Sequence, residues 1–237
     1  MGHPLPEGTV PFRRVRGLGE RGDRLPHATT ALSQPKKRTK GAKERDEFLR
    51  LLWRMELGCV DPECLVFVDE MGTHTSLAPL YAYSPVGERA SFEIPRNRGT
   101  NTTLLTSLDA RGMGPSMAVE GATTSRVFET YLERLLAPAL RPGQVVVMDN
   151  LGAHRPKRVR ELIEERGCEL VYLPAYSPDL NPIEEALSKI KHILRTTSAR
   201  TKDALIEAMG LALGAVSARD AGGFFVSCGY RTPAQQL

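Results

Sequence analysis

Residues 65–69 read Leu-Val-Phe-Val-Asp and residues 145–149 read Val-Val-Val-Met-Asp, so two apolar runs each close on an aspartate. Short runs without polar interruption are typical of strands that are covered on both faces of a sheet. A carboxylate placed where a buried strand ends can hold a hard divalent cation rigidly. The two stretches therefore predict the centre of a sheet and, at its edge, a polar site built on Asp69 and Asp149.

A third carboxylate follows in the block Tyr-Ser-Pro-Asp-Leu-Asn-Pro-Ile-Glu at residues 176–184, with 34 residues between Asp149 and Glu184. Asn181 is a preferred N-cap residue and Glu184 falls three residues later, so the block predicts a helix that begins in a capping box. Glu184 could serve only as that cap, but such a role would leave Asp69 and Asp149 unexplained. Three carboxylates brought together would repel one another unless a metal neutralised them.

Length, charge and cysteine content limit the class of protein. The chain has 237 residues, enough for one domain with a substantial core, and a net charge of +4. Residues 1–50 carry 12 Lys+Arg against 6 Asp+Glu, and the remainder carries 20 against 22. The four cysteines form no CxxC pair, and the sequence contains neither a membrane-length apolar run nor a signal segment. We expect a cytoplasmic protein with reduced cysteines and no membrane partner.

The pattern along the chain predicts four parts. Residues 1–34 form an irregular basic segment, residues 35–60 a linker with an amphipathic helix, residues 61–200 the catalytic domain, and residues 201–237 a C-terminal helix and tail packed on it. In the second part, a helix over residues 43–57 is indicated by apolar residues at helical spacing, with Trp53 at the margin of their face. The residues of that face are Phe48, Leu51, Leu52 and Met55.

The order of elements predicts the fold class. A strand at 65–69 precedes a hairpin around Asp109-Ala-Arg-Gly, and helices then alternate with strands. The predicted later elements are helix 124–136, strand 145–149, helix 156–166, strand 169–173, helix 182–195 and helix 202–217. This order predicts an α/β fold with a mixed sheet flanked by helices. It matches an RNase H-like fold, although the pattern alone leaves other topologies open.

The helix that begins near Asn181 has two distinct faces. One face carries acid and then base and the neighbouring face is apolar. The first set is Glu184, Ser188, Lys191 and Arg195, and the second is Ile183, Leu187, Ile190 and Leu194. A carboxylate trio suits a metal pair ~4 Å apart, which can assist in-line displacement at a phosphodiester. Because no zinc-type His/Cys set accompanies it, we expect Mg²⁺ or Mn²⁺, with Lys191 and Arg195 holding phosphates.

Three sequence blocks carry a family resemblance. Phe-Val-Asp-Glu, Met-Asp-Asn-Leu-Gly-Ala-His and Leu-Pro-Ala-Tyr-Ser-Pro-Asp-Leu-Asn-Pro-Ile-Glu-Glu resemble the DDE catalytic domain of mariner-type transposases, in the branch found in bacterial insertion sequences. The resemblance covers roughly residues 36–229. It implies that Asp69, Asp149 and Glu184 are the catalytic triad and the metal ligands. It also implies two Mg²⁺ ions, for which Mn²⁺ would substitute.

The same resemblance implies the partners. They are double-stranded DNA at transposon ends, TA target sites and a second copy of the chain in a homodimer. The sequence departs from the family in two places. Leu187 stands where relatives often have Trp, a change that keeps an apolar contact. No helix-turn-helix module precedes the catalytic region, so we hypothesise that this module is encoded separately and that residues 1–34 are disordered, a non-native reading frame or a gene-model artefact.

Further basic residues are candidates for contact with DNA. Arg96 and Arg98 lie in a Pro-Arg-Asn-Arg-Gly-Thr-Asn loop that could contact phosphates or simply be solvated. His154 could touch DNA, orient a water or make a loop hydrogen bond. Of the remaining acidic residues, Glu70 and Glu185 adjoin proposed ligands but should point elsewhere, and Asp179 is expected to form a turn.

The residues support a DNA-cutting and strand-transferring transposase domain as the main hypothesis. One alternative is an RNase H-like nuclease that only hydrolyses. Another is a catalytically idle remnant that binds DNA or a partner. Strand transfer separates the first two, and the effect of replacing Asp149 on metal-dependent activity separates both enzymes from the third.

Overall fold

The computed structural model describes residues 44–91, 93–94, 96–97, 99–150 and 157–231, and all that follows concerns those residues. The strands are β1 Leu65–Thr73, β2 Thr102–Asp109, β3 Gly112–Glu120, β4 Val145–Met148 and β5 Glu169–Tyr172. The helices are α1 Glu47–Leu57, α2 Ser125–Tyr131, α3 Ala137–Ala139, α4 Lys157–Glu164, α5 Pro182–Thr197, α6 Lys202–Gly214 and α7 Ala218–Ser227. A π-helical stretch, Leu132–Leu136, joins α2 to α3. The predicted irregular segment 1–34 lies outside the described residues.

The five strands form one mixed sheet in the order β3-β2-β1-β4-β5. The hairpin strands β2 and β3 are antiparallel, as are β1 and β2, whereas β1, β4 and β5 are parallel. The hairpin of β2 and β3 needs only a tight turn. The parallel strands require helical crossovers, which α2–α3 and α4 supply. The predicted mixed sheet and each predicted strand are thereby confirmed, and β1 extends four residues beyond Asp69.

The sheet is covered on both faces because successive side chains of each strand point in opposite directions. From β1, Phe67 and Met71 pack with α1, α5, α6 and α7 in one core cluster. Val66 and Val68 pack with α2 and α4 in the other. Asp69 follows the alternation of Phe67 and Met71, so its side chain lies on the α5 side of the sheet.

Helix α5 packs with the predicted face. Ile183, Leu187, Ile190 and Leu194 are all buried against the first core cluster. The neighbouring face, which carries Glu184 and Ser188, stays exposed. Leu187 is 5% exposed and packs in the first core cluster, so its side chain makes the apolar contact that was predicted for it.

Helix α1 exists where predicted, but the prediction of its buried face was wrong. Phe48, Leu51 and Met55 are 67%, 53% and 63% exposed, whereas Arg50 and Trp53 are buried. The apolar spacing correctly indicated a helix and incorrectly indicated which side of it packs.

The reason is a set of polar contacts between α1 and the turn before α5. Arg50 donates to both carboxylate oxygens of Asp179, at 3.0 and 2.6 Å. Trp53 Nε1 donates to the Tyr230 hydroxyl at 2.9 Å, and that hydroxyl donates to the Leu180 carbonyl at 2.7 Å. These partners are distant in sequence, so helical periodicity carries no information about them. Asp179 lies in the 3₁₀ turn Pro178–Leu180, as its turn context predicted.

The C-terminal region contains one more helix than predicted. Where a single helix over 202–217 was expected, α6 ends at Gly214 and α7 begins after Ser217. Both helices contribute to the first core cluster through Leu205, Met209 and Phe225. Throughout the described residues the four cysteines are free, and no helix there has the length and apolar character needed to cross a membrane.

Candidate active site

The register of the parallel strands sets the positions of two of the predicted carboxylates. Val68 of β1 pairs with Met148 of β4, so Asp69 and Asp149 occupy the next level on adjacent strands. The start of α5 lies across this edge and adds Glu184. All three carboxylates line one cleft of about 410 Å³, together with residues 173–178 and Asn181. The structure thus brings the three predicted residues to the same cavity.

Asp69 is the most buried member of the trio, at 8% exposed. Its Oδ1 accepts a hydrogen bond from the backbone N–H of Glu70 at 2.7 Å, and its Oδ2 accepts one from Asn181 Nδ2 at 3.0 Å. Burial raises the pKa of Asp69 from its ordinary value to about 7, and the negative charges of Glu184 and Asp149 add to the rise against the two hydrogen bonds. Asp69 therefore experiences the negative charge of both other carboxylates.

The capping box predicted at the start of α5 is not formed. Asn181 is the N-cap residue, yet its side chain makes no capping hydrogen bond and is turned instead toward Asp69. The backbone alone closes the first turn, through the Glu184 N–H and the Asn181 carbonyl at 3.1 Å. The Asn181 N–H, which a capping box would pair with Glu184, donates to the Pro178 carbonyl at 3.1 Å, and the Glu184 carboxylate lines the cleft.

A groove of about 320 Å³ continues from Glu184 along α5. It is lined by Glu184, Ser188, Lys191 and Arg195 from the helix and by residues 70–72 of β1. The acid-then-base face predicted from helical spacing therefore borders one continuous surface. Lys191 and Arg195 place two positively charged side chains along this groove.

The neighbouring glutamates differ in environment. Glu185 accepts a hydrogen bond from the Ser227 hydroxyl of α7, so it is directed away from the cleft as expected. Glu70 borders the groove, and its Oε2 is buried without a partner among the described residues. Arg96 is exposed and does not line the cleft. Arg98 and His154, both predicted DNA contacts, lie outside the described residues.

The cleft offers the kind of ligand atoms that a hard divalent metal requires. Its carboxylate and amide donors are all oxygen, the ligand type preferred by Mg²⁺ and Mn²⁺. The coupling of Asp69 to Glu184 and Asp149 is a repulsion that a cation would relieve. Within the described ranges, no group of three or more His, Cys, Asp or Glu side chains is gathered tightly enough to hold a metal as it stands. The carboxylate oxygens therefore match a divalent cation in atom type and in charge, but they are not gathered as closely as in a closed metal site.

One residue of the cleft was not identified as functional from the sequence. Asn181 was interpreted as a helix cap, because Asn before Pro at a helix start usually has that role. The signal that could have corrected this interpretation is the burial of the whole turn, which includes Leu180, Asn181 and Pro182. A buried polar side chain requires hydrogen-bond partners. A helix start offers only N–H donors, so the Nδ2 donor of Asn181 needs an acceptor elsewhere.

The fold and cleft agree with a family assignment. The model for the DDE superfamily endonuclease domain matches residues 64–206, and the chain belongs to that superfamily. Two curated relatives are nematode proteins of the Tc1/mariner type. The chain is 28% identical over 135 residues to the transposable element Tcb1 transposase of Caenorhabditis briggsae, covering 52% of this chain and 50% of the relative. It is 29% identical over 128 residues to the Tc1 transposase of Caenorhabditis elegans, covering 51% and 47%.

Solved structures show the same fold. The Mos1 mariner paired-end complex with Mn superposes with a TM-score of 0.65 and 17% identity, over 84% of this chain and 64% of that one. The Mos1 strand transfer complex gives a TM-score of 0.64 and 18% identity, over 84% and 64%. These likenesses confirm the predicted RNase H-like architecture. The chain spans about half the length of the curated relatives that it matches.

Proposed function

We propose that this chain carries out metal-dependent DNA cleavage and strand transfer in DNA transposition, with Asp69, Asp149 and Glu184 as its catalytic carboxylates. The observation that carries the proposal is their convergence on one cleft, where Glu184 and Asp149 both raise the pKa of Asp69. A buried aspartate repelled by two further carboxylates at the edge of the sheet has no evident structural use. Such an arrangement suits a site that binds positive charge.

The proposed cofactor is a pair of Mg²⁺ ions, for which Mn²⁺ substitutes. Asp69, Asp149 and Glu184 would hold them, and the ions would supply Lewis acidity at the phosphodiester. The Mos1 complexes with Mg and with Mn support this choice. In the chain itself, Asp69 is pinned by two hydrogen bonds and excluded from solvent, so it offers its oxygens in a fixed orientation.

The proposed substrate is double-stranded DNA, at transposon ends and at TA target sites. Lys191 and Arg195 would hold backbone phosphates along the groove that begins at Glu184. We propose further DNA contacts by Arg96, Arg98 and His154. A homodimer belongs to the same proposal, as do the bacterial insertion-sequence origin suggested by the sequence blocks and a cytoplasmic, nucleoid-associated location. The proposed boundaries between the parts of the chain lie at residues 34, 60 and 200.

Asp149→Ala tests the proposal. The protein is incubated with a pre-cleaved transposon end, a target plasmid and Mg²⁺, and joined product is measured alongside hydrolysis of an uncut end. We expect the variant to lose both activities by a factor on the order of 10³ to 10⁴, the scale of removing one member of a catalytic set. The matched control is Asp109→Ala, which removes an aspartate at the end of β2 outside the cleft.

Each result has a clear meaning. Joining by the wild-type and Asp109→Ala proteins but not by Asp149→Ala supports the proposal. Hydrolysis without joining assigns the chain to the RNase H-like nucleases that only hydrolyse. Equal behaviour of the wild type and Asp149→Ala in every Mg²⁺-dependent assay assigns it to the binding remnants.

A further inference from the structure

The side chain of Asn181 is used in an unusual way for a residue that begins a helix. It is 4% exposed and makes no capping hydrogen bond to α5. Asn at this position typically caps the helix, its Oδ1 accepting a hydrogen bond from a backbone N–H of the first turn. Here the observed side-chain bond is made by the other end of the amide, since Nδ2 donates to Asp69 Oδ2 at 3.0 Å. The partner lies 112 residues away in sequence.

The hydrogen bond limits the orientation of the Asp69 carboxylate. Asp69 Oδ1 is held by the Glu70 N–H at 2.7 Å, and Oδ2 is held by Asn181. With one donor on each oxygen, the carboxylate cannot rotate without breaking a bond. Each oxygen keeps further acceptor capacity, which is what a ligand to a cation requires.

The other end of the Asn181 amide is unsatisfied. Its Oδ1 is buried and has no hydrogen-bond partner among the described residues. Asn181 lines the cleft with Asp69, Asp149 and Glu184, and these carboxylates offer no proton when ionised. The bond from Nδ2 to Asp69 is therefore the contact that fixes the Asn181 side chain beside the carboxylates.

We propose that Asn181 is a positioning residue of the metal site, whose Nδ2 holds the Asp69 carboxylate in the orientation of a metal ligand. This inference rests on the proposed function and extends it to a residue outside the carboxylate trio. Partners that orient a ligand in this way typically change metal affinity by about 10- to 100-fold.

A purely structural role makes a different prediction. If Asn181 only joined α5 to β1, its replacement would lower the stability of the fold and leave the affinity of the folded protein for metal unchanged. Metal affinity and folding stability must therefore be measured separately. Ser217→Ala provides the matched control, because it damages the start of α7, where the side chain does cap the helix.

The experiment titrates Mn²⁺ into the full chain and follows free Mn²⁺ by electron paramagnetic resonance. The variants are Asn181→Ala and Asn181→Leu, of which the second keeps the branched shape of the side chain and avoids a cavity. We expect the Kd for Mn²⁺ to rise at least tenfold in both. In Ser217→Ala it should stay within twofold of the wild type. Thermal unfolding of each protein establishes that it is folded.

Wild-type affinity in a folded Asn181→Ala or Asn181→Leu protein would overturn the inference, as would loss of cooperative unfolding in both variants, which would assign Asn181 to the fold. Failure of the proposed function would look different. In that case the wild type would bind no Mn²⁺, or Asp149→Ala would bind it as tightly as the wild type does.

Discussion

The starts of α5 and α7 present similar residues in opposite roles. At α7, the Ser217 hydroxyl accepts from the Asp220 N–H at 3.2 Å, and the Asp220 carboxylate accepts from the Ser217 N–H at 2.8 Å. That is a complete capping box. At α5, Asn181 and Glu184 have the same spacing, but the Asn181 amide binds Asp69 and no box forms.

The two helix starts differ in what their polar groups do: those of α7 stabilise the fold, and those of α5 belong to the candidate site. Around α7 every capping group has a partner, and Lys189 adds an ion pair to Asp220 at 2.8 Å. Around the cleft, Asp69 is buried beside like charges and Asn181 Oδ1 is unsatisfied. Local rules of helix design are broken where function is expected and obeyed elsewhere.

The largest effect that the comparison predicts concerns two adjacent glutamates. Glu184 lines the cleft, while Glu185 is bonded to Ser227 of α7. Glu184→Gln should reduce Mg²⁺-dependent DNA cleavage by a factor on the order of 10³, because it removes a proposed ligand charge and leaves the shape unchanged. Glu185→Gln, measured in the same assay, should retain cleavage within a few-fold. Equal losses in both variants would contradict the assignment of Glu184.

The next effect is the pH dependence of stability without metal. The pKa of Asp69 is about 7 in the folded protein against an ordinary value of 3.8, so between these values the folded state binds more protons than the unfolded state. Stability therefore falls as pH rises from about 4 to about 7, by roughly 4 kcal/mol at most.

Asp69→Asn isolates this contribution, because its side chain does not titrate. The free energy of unfolding of the wild type, measured with urea in EDTA, should decline relative to Asp69→Asn between pH 4 and pH 8. A difference between the two proteins that is constant over this range would show that Asp69 ionises normally. Ser217→Ala, measured in parallel, should show the wild-type trend.

A third effect concerns the ion pair that joins α1 to the turn before α5. Arg50 is 0% exposed and bonds both oxygens of Asp179, whereas Arg54 is half-exposed and 3.8 Å from the same carboxylate. Arg50→Met should lower the free energy of unfolding by about 2 kcal/mol, since hydrogen bonds to charged groups are lost. Arg54→Met should change it by less than about 1 kcal/mol. Urea denaturation at constant m-value measures both.

The smallest effect is at the intact capping box. Ser217→Ala should lower the free energy of unfolding by about 1 kcal/mol, because it removes the side chain that satisfies the Asp220 N–H. Its DNA cleavage should equal that of the wild type. A loss of cleavage with unchanged stability would break the distinction between the two helix starts.

These contrasts also show how far the sequence could predict the structure. The strands at 65–69 and 145–149 were predictable because an uninterrupted apolar run is itself the local signature of a buried strand. Their parallel pairing places Asp69 beside Asp149, so the site followed from the strands. The buried face of α5 was predictable for a similar reason, since its apolar residues share one helical stripe.

The features that escaped prediction depend on distant partners. The buried position of Arg50 is caused by Asp179, 129 residues later, and no periodicity of α1 reports it. Phe48, Leu51 and Met55 look like a core stripe, yet they are exposed because Arg50 and Trp53 turn the opposite side of the helix inward. Asn181 has the local sequence context of a helix cap, but its hydrogen bond to Asp69 at 3.0 Å depends on the tertiary fold, which local patterns do not report.

The most direct test of the central claim is a crystal structure of the full chain with Mn²⁺, using anomalous scattering to place the ions. We expect oxygens of Asp69, Asp149 and Glu184 to lie within about 2.0–2.6 Å of the bound ions, the range for hard cations. At least one ion should be shared between two carboxylates. Mn²⁺ bound elsewhere, with the three carboxylates remaining apart and unliganded, would contradict it.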